Sequence, residues 1–452
     1  MDVVVQTCRF IHVSIFSWSG YDGLMSGTFG SVSLNGKLHV SIASLPPSHL
    51  CATRPLTSLL PSPADALTWL GDRCSIVADG RTATITVTGT QAIRQASSEW
   101  TNVCQDALVD TDSTIDEGSS RLCGPVALAS FGFAWNTRGV LIIPHTAIVE
   151  RDGARFVITT ALDQDPADPI QAASALAEAA LSTQLTTPKG LMTQAGRMTQ
   201  NQWLSAVRRV IRRLNSGAAS KVVMSRDMVV DSPTAMDERY LVTQLHEQFP
   251  STWTYAVAGL VGATPEILAS KEADHVYSRV LAGTAAPGNA DELMSSDKNR
   301  REHALAVESV TRRFEPMATS VECPPEPSVI ELPNVIHLAT EVNAVVPDHS
   351  LLDVVAALHP TAAVCGTPTT LAYDLLESFE QTRRGRYSGP VGWVDANGDG
   401  EFGIALRCGQ FTRERTQIRV FAGGGIMPDS VPEMELAETR AKMSPVLDAL
   451  GV

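Results

Sequence analysis

The chain predicts an α+β fold. Three observations carry this: short apolar runs set off by turn residues, a hairpin signature near the C-terminus, and a few helical patterns standing among strand-like segments. From the N-terminal side, KLHVSIASL, RTATITVTG, GVLIIPHTAIVE and ARFVITTAL alternate with Gly, Pro, Asp and Ser clusters and read as strands and hairpins. Two helical patterns interrupt them, one near Pro63 to Leu70 and an alanine-rich one from Asp168 to Leu181. Thr186 to Gly196 reads as the main linker, dividing residues 1–195 from residues 196–452. Beyond it, a helix from Gln202 to Leu214 meets Asn215-Ser216-Gly217, residues suited to a C-cap. Strands SKVVMSRDMVV, TWTYAVAGLV and PEILASK follow, then a long helix after Ser295-Ser296 through about Phe314. SGPVGWVD and EFGIALRCGQF flank Ala396-Asn397-Gly398-Asp399-Gly400 as arms of a hairpin. The same stretch imitates a calcium loop, but Leu406 stands where a bidentate glutamate is needed, so that reading is rejected. TQIRVFAG then runs into Gly423-Gly424-Gly425, and a last helix spans about Pro432 to Leu450.

The chain has 452 residues, 44% hydrophobic and 19% charged, which is too apolar for a disordered protein and allows roughly three domains by length alone. Thirty-five Lys and Arg against 49 Asp and Glu give a formal charge of −14. Such a field excludes general attraction to nucleic acid or anionic membrane unless a local basic patch overrides it. Arg208, Arg209, Arg212 and Arg213 are one such cluster, but their helical spacing reads as a solvated face. The eight cysteines form no CxxC pair, so a reducing, cytoplasmic setting is expected. The first twenty residues make a poor signal peptide, since Gln6, Arg9 and His12 break the apolar run and no basic n-region precedes it. No stretch approaches the roughly 20 apolar residues of a membrane span.

Several polar residues could carry chemistry. Glu435, Glu438 and Lys442 share one helical face, where two carboxylates beside a cation could hold a hard divalent metal or form an exposed ion pair. Glu302 and His303 sit amid Lys298, Arg300 and Arg301, a pattern that also describes a solvated face. Lys221 opens a strand whose positions Val223 and Ser225 share its face; a lysine there could be a base or a solubility device. Glu266, after Thr264-Pro265, suits a turn or a general acid equally.

Read together and in order, KVVMSR, GATPEIL, LAGTAAPG with SSDKNRREHAL, HPTAAVCGTP, and GPVGW through RVFAGGGI to EMELAETRAK resemble the chorismate-utilising enzymes. The likeness covers essentially all of residues 218 to 446. Within that family the chain is most similar to isochorismate synthases, through HPTAAVCGTP, RYSGPVGWVDANGDGEFGIALRC and VIHLAT. The resemblance implies large antiparallel sheets packed together with helices outside, both parts of the chain forming one catalytic body. It implies water addition at C2 of chorismate with loss of the C4 hydroxyl, giving isochorismate for menaquinone or siderophore synthesis. Salicylate synthases, which would also expel pyruvate, are near relatives, and ammonia-using anthranilate and aminodeoxychorismate synthases lie farther off. A catalytically silent relative is disfavoured by the joint presence of Lys221, Glu266, Glu302 and Glu438.

The same resemblance assigns roles. Lys221 matches the base that deprotonates water, and Glu266 the acid that protonates the departing hydroxyl, for which it must be held protonated. Glu302 and Glu438, with Glu435 helping, match ligands of Mg²⁺. Gly283 and Thr284 match a substrate-contacting turn, and Gly423 and Gly425 match positions whose N–H groups face substrate. Arg407 and Tyr387 match a grip on the enolpyruvyl carboxylate, Lys442 a residue near the ring carboxylate, and His337 and Thr340 an active-site strand. No glutaminase partner is expected, and the chain is expected to act as a monomer or homodimer. Ala285-Ala286-Pro287 and Asn299 depart from the usual pattern.

Overall fold

Strands from the two ends of the sequence are interleaved in two large sheets. The computed structural model describes residues 36–112 and 124–452. The reading of the N-terminal twenty residues, and Cys8 and Cys123, therefore lie outside the described residues. Among the described residues, thirteen strands form one sheet and ten form another. Their pairings are antiparallel, except that Leu38–Ser44 runs parallel to the edge strand Leu108–Thr111. Leu67–Leu70 pairs with Trp253–Val257, and Val126–Ser130 with Pro390–Asp395, so each sheet takes strands from both sides of residue 196.

Packing follows from the alternation of each strand. Trp69 and Tyr255 of the larger sheet and Leu128, Ile267 and Phe402 of the smaller belong to one buried cluster. On its other face the larger sheet buries Val77, Val157 and Val261 against Leu176, Leu241 and Val446 of three helices, Pro169–Ser182, Glu238–Gln248 and Pro432–Leu450. This is an α+β architecture of packed sheets with helices outside.

Local signals explain most elements. Asp168 caps the helix Pro169–Ser182 by accepting from Gln171 N, and Thr199 and Gln202 form a capping box on Gln200–Asn215. Ser296 caps Asp297–Phe314. In the hairpin of Pro390–Asp395 and Gly400–Ile404, Asp395 Oδ1 accepts from Asn397 N and Asp399 N, while Asp399 accepts from Lys271; both carboxylates serve the turn.

Three expectations are corrected. Pro63 to Leu70 is not a helix: Leu67–Leu70 is a strand buried on both faces, and a short apolar run has no period to tell the two apart. The linker includes the strand Met192–Ala195, whose side chains are exposed but whose backbone pairs with Met228–Asp231. TWTYAVAGLV is a hairpin turning at Ala258 and Gly259, both at positive φ. Gly423-Gly424-Gly425 continues the strand read from TQIRVFAG and forms the end of Gln417–Ile426. Helices Ala92–Asp106, Glu238–Gln248, Leu351–Leu358 and Thr369–Phe379 were not expected, although Asp237 caps the second and Ser350 with Asp353 forms a capping box on the third.

Candidate active site

Two strands of the larger sheet set one wall. Lys221–Asp231 pairs with Gln417–Ile426 in a register that puts Val223 opposite Gly425 and Ser225 opposite Gly423. On the other side of the first strand runs Gly366–Thr367, from the segment HPTAAVCGTP, with Lys221 opposite Thr367. A Cβ on Gly366 would overlap the Lys221 carbonyl oxygen, which explains the glycine there. Facing this wall, His275–Ala285 pairs with Ile336–Val345, and a bulge at Gly283 (φ +79°) turns Thr284 toward His337. Between them lies a cleft of about 570 Å³, mouth included, a size suited to a small ligand. Glu266, Glu302, Arg407 and Lys442 bring ionisable groups to it; Gly283, Thr284, His337, Tyr387, Gly423 and Gly425 complete the contribution of the sequence-predicted residues.

Lys221 is fully buried, with its Nζ 3.1 Å from Glu302 Oε1 but not aligned as a hydrogen bond. Its chain passes under Gly425, where an added Cβ would lie 3.0 Å from Lys221 Cε and collide with the Glu302 carboxylate. Only glycine leaves room for this pair. Glu302 and Glu266 are both buried, and their electrostatics diverge. Around Glu302, burial alone would raise the pKa, but Lys221, Lys298 and Lys442 together outweigh it and hold the carboxyl below its ordinary range. Around Glu266, burial wins over a hydrogen bond from the Leu281 backbone and the charges of Lys221, Lys442 and Arg407, pushing its pKa up to about 8. Glu266 is thus mostly protonated at neutral pH.

Arg407 has φ +47°, a conformation costing an L-residue about 1–3 kcal/mol, and it aims a buried guanidinium at the cleft. One terminal nitrogen donates to His337 Nε2 at 2.8 Å, and its Nε has no partner. Burial, then the charges of Arg407 and Lys442, hold the His337 pKa well below its ordinary value, so the ring is neutral. Because arginine only donates, Nε2 accepts, and the proton sits on Nδ1, which faces Thr284 Oγ1 at 3.1 Å and Gly283 O at 3.3 Å. Tyr387 is buried beside this group, stacked on Phe421 at 5.1 Å.

The carboxylates on two helices approach the glycine strand from outside. A Cβ on Gly424 would lie 3.2 Å from Glu435 Oε2 and 3.7 Å from Glu438 Oε1. Lysines hold all three acids: Glu302 faces Lys221, Glu438 accepts from Lys442 at 2.5 Å, and Glu435 Oε1 accepts from Lys298 at 2.7 Å and Ser430 Oγ at 2.6 Å. Burial, then the neighbouring Glu438, raises the Glu435 pKa. Among the described residues no group of three acid, His or Cys side chains is placed to hold a metal ion as the side chains stand. The donor set nevertheless fits Mg²⁺: it is all carboxylate oxygen, glycines leave it open, and Glu435 Oε2 is buried without a partner.

Thr340, His303 and Lys298 lie elsewhere than on the cleft wall or differ in kind from their sequence reading. Thr340 is not on the cleft wall; its hydroxyl donates to His303 Nε2 at 2.7 Å, while His303 Nδ1 donates to Ala282 O at 3.1 Å. Burial lowers the His303 pKa to about 4, so this neutral ring braces the Gly283 bulge and is no solvated face residue. His359 is partly buried and lies edge-on against Phe133, which fits a structural part. Lys298, read as part of a solvated face, holds Glu435. Arg384, on the cleft wall, was not singled out at all: within EQTRRGR it resembles a surface run.

The profile of the family described as chorismate binding enzyme matches residues 68–451. Isochorismate synthase DhbC of Bacillus subtilis is 36% identical over 269 residues, covering 55% of this chain and 67% of that protein. A salicylate biosynthesis isochorismate synthase of Pseudomonas aeruginosa is 31% identical over 399 residues, 80% of each chain. Among solved structures, the menaquinone-specific isochorismate synthase MenF of Escherichia coli superposes with a TM-score of 0.72 over 92% of this chain and 95% of its own, at 20% identity, a likeness of fold. With the profile spanning both sheets and every strand that lines the cleft, the chain belongs to the chorismate-binding enzymes.

Proposed function

We propose that the chain is an isochorismate synthase, a cytoplasmic isomerase that needs no glutaminase partner. The observation that supports this best is Glu266, held protonated on a cleft wall that also carries Glu302, whose carboxylate lies 3.1 Å from the buried Lys221 Nζ. Water must lose a proton as it attacks C2 of chorismate, and the C4 oxygen must gain one as it leaves. Lys221 takes the first proton while the C2–O bond forms; the ring double bonds shift, the C4–O bond breaks, and Glu266 gives its proton to the departing hydroxide. The protons balance: one water enters and one leaves. Arg407, steered by neutral His337, holds the enolpyruvyl carboxylate with Tyr387, and Lys442 lies near the ring carboxylate. Backbone N–H groups at Gly423 and Gly425 can approach substrate closely because no side chain intervenes.

Glu302, Glu435 and Glu438 would hold Mg²⁺, which when bound supplies positive charge for a substrate carboxylate. The product would serve menaquinone synthesis, or a siderophore built on 2,3-dihydroxybenzoate. The test is incubation of the purified protein with chorismate and Mg²⁺, with and without ammonia, and product identification by NMR. Isochorismate alone is expected in both. Stoichiometric pyruvate with salicylate, or anthranilate when ammonia is present, would overturn the proposal.

A further inference from the structure

Arg384 lies on the cleft wall, yet every donor of its guanidinium is used inside the protein. Nε donates to Glu380 Oε1 at 2.7 Å; Nη1 donates to Val364 O at 2.8 Å and Ser388 Oγ at 3.2 Å; Nη2 donates to Val223 O at 2.6 Å and Glu380 Oε2 at 2.8 Å. A guanidinium has five N–H groups, so none remains for a ligand. Arg407 differs, since its Nε is without a partner. Glu380 Oε2 also accepts from Ser225 N at 2.7 Å, and Phe133 stacks under the guanidinium at 4.0 Å.

These bonds join three parts of the site. Val223 and Ser225 belong to the strand that begins at Lys221; Val364 belongs to the segment that closes the cleft; Ser388 follows Tyr387. We infer that Arg384, clamped by Glu380, is a positioning residue that fixes the Lys221 strand against the Val364 wall and Tyr387 without touching substrate. The catalytic part of this inference rests on the proposed isochorismate synthase reaction. Lysine cannot substitute, because three donors on one nitrogen cannot span two carbonyls, a hydroxyl and a carboxylate.

The test compares Arg384→Lys and Glu380→Gln with the parent. Hydrogen exchange should accelerate in both variants at peptides covering residues 221–225 and 361–367, with the fold otherwise retained by circular dichroism. In turnover of chorismate, kcat should fall at least about tenfold while KM stays within about threefold, since misplacement and not lost binding is the defect. Unchanged protection in those peptides overturns the inference whether or not the parent turns chorismate over. So does a raised KM with kcat kept, which would make Arg384 a substrate contact. If Arg384→Lys does not fold, the near-isosteric Glu380→Gln decides by the same readouts. A parent that makes no isochorismate fails the proposed function instead, and that failure is separate because the exchange readout still stands.

Discussion

Two buried glutamates feel the same lysine and are driven in opposite directions. Glu302 stands 3.1 Å from Lys221 with two further lysines behind it, so Coulombic attraction exceeds the cost of burial. Glu266 meets its cations more weakly, and burial dominates. The sign of the pH response follows. In the proposed reaction Glu266 is the acid, so its contribution is present below a pKa of about 8 and is lost as pH rises through it. A profile of kcat/KM against pH should show a descending limb near 8, and a limb unmoved in Glu266→Asp would assign it to another group. Glu266→Gln keeps the shape and removes the transferable proton; Lys221→Ala removes the base. Each should abolish detectable isochorismate by NMR while the circular dichroism spectrum stays native, and substantial turnover in either would remove that residue from its role. At this scale the sequence was informative only through ordered segments. Lys221 or Glu266 alone fitted bland readings, and Arg384 and His303 stayed hidden because a charged run does not reveal which of its members turns inward.

Elements make the site possible by what they leave out. The strand Gln417–Ile426 presents glycines where helices Asp297–Phe314 and Pro432–Leu450 deliver their acids. Gly425→Ala would press a methyl group into the Glu302 carboxylate and displace it from Lys221, so activity should fall on the order of a hundredfold with little change in circular dichroism. Near-parental turnover would show that the strand can shift. The same acids predict that EDTA stops turnover and excess Mg²⁺ restores it; activity persisting in excess chelator would contradict their role. Long helices such as Gln200–Asn215 were legible because cap and period agree. Thr369–Phe379 was not, since its N-cap position is Pro368 and no side chain caps it.

For the molecule as a whole, antiparallel pairing between distant strands leaves no trace in local periodicity. Leu128 opposite Trp393 and Trp69 opposite Tyr255 are matched only in the fold. Residues 196–452 expressed alone would expose the edge of Trp253–Val257 and lose Trp69 from the core, although all proposed catalytic groups would be present. That fragment should aggregate and lack a cooperative melt, whereas the full chain should show one transition by calorimetry; a soluble, cooperatively melting fragment would contradict the interleaved core.

Interleaving also fixes a timetable. During synthesis the strand Val126–Ser130 emerges long before Pro390–Asp395, and Lys221 long before the strand Gln417–Ile426 beside it. Neither can reach its final neighbour until nearly the whole polypeptide has left the ribosome, so folding is slow and its bare strand edges need shielding in the interval.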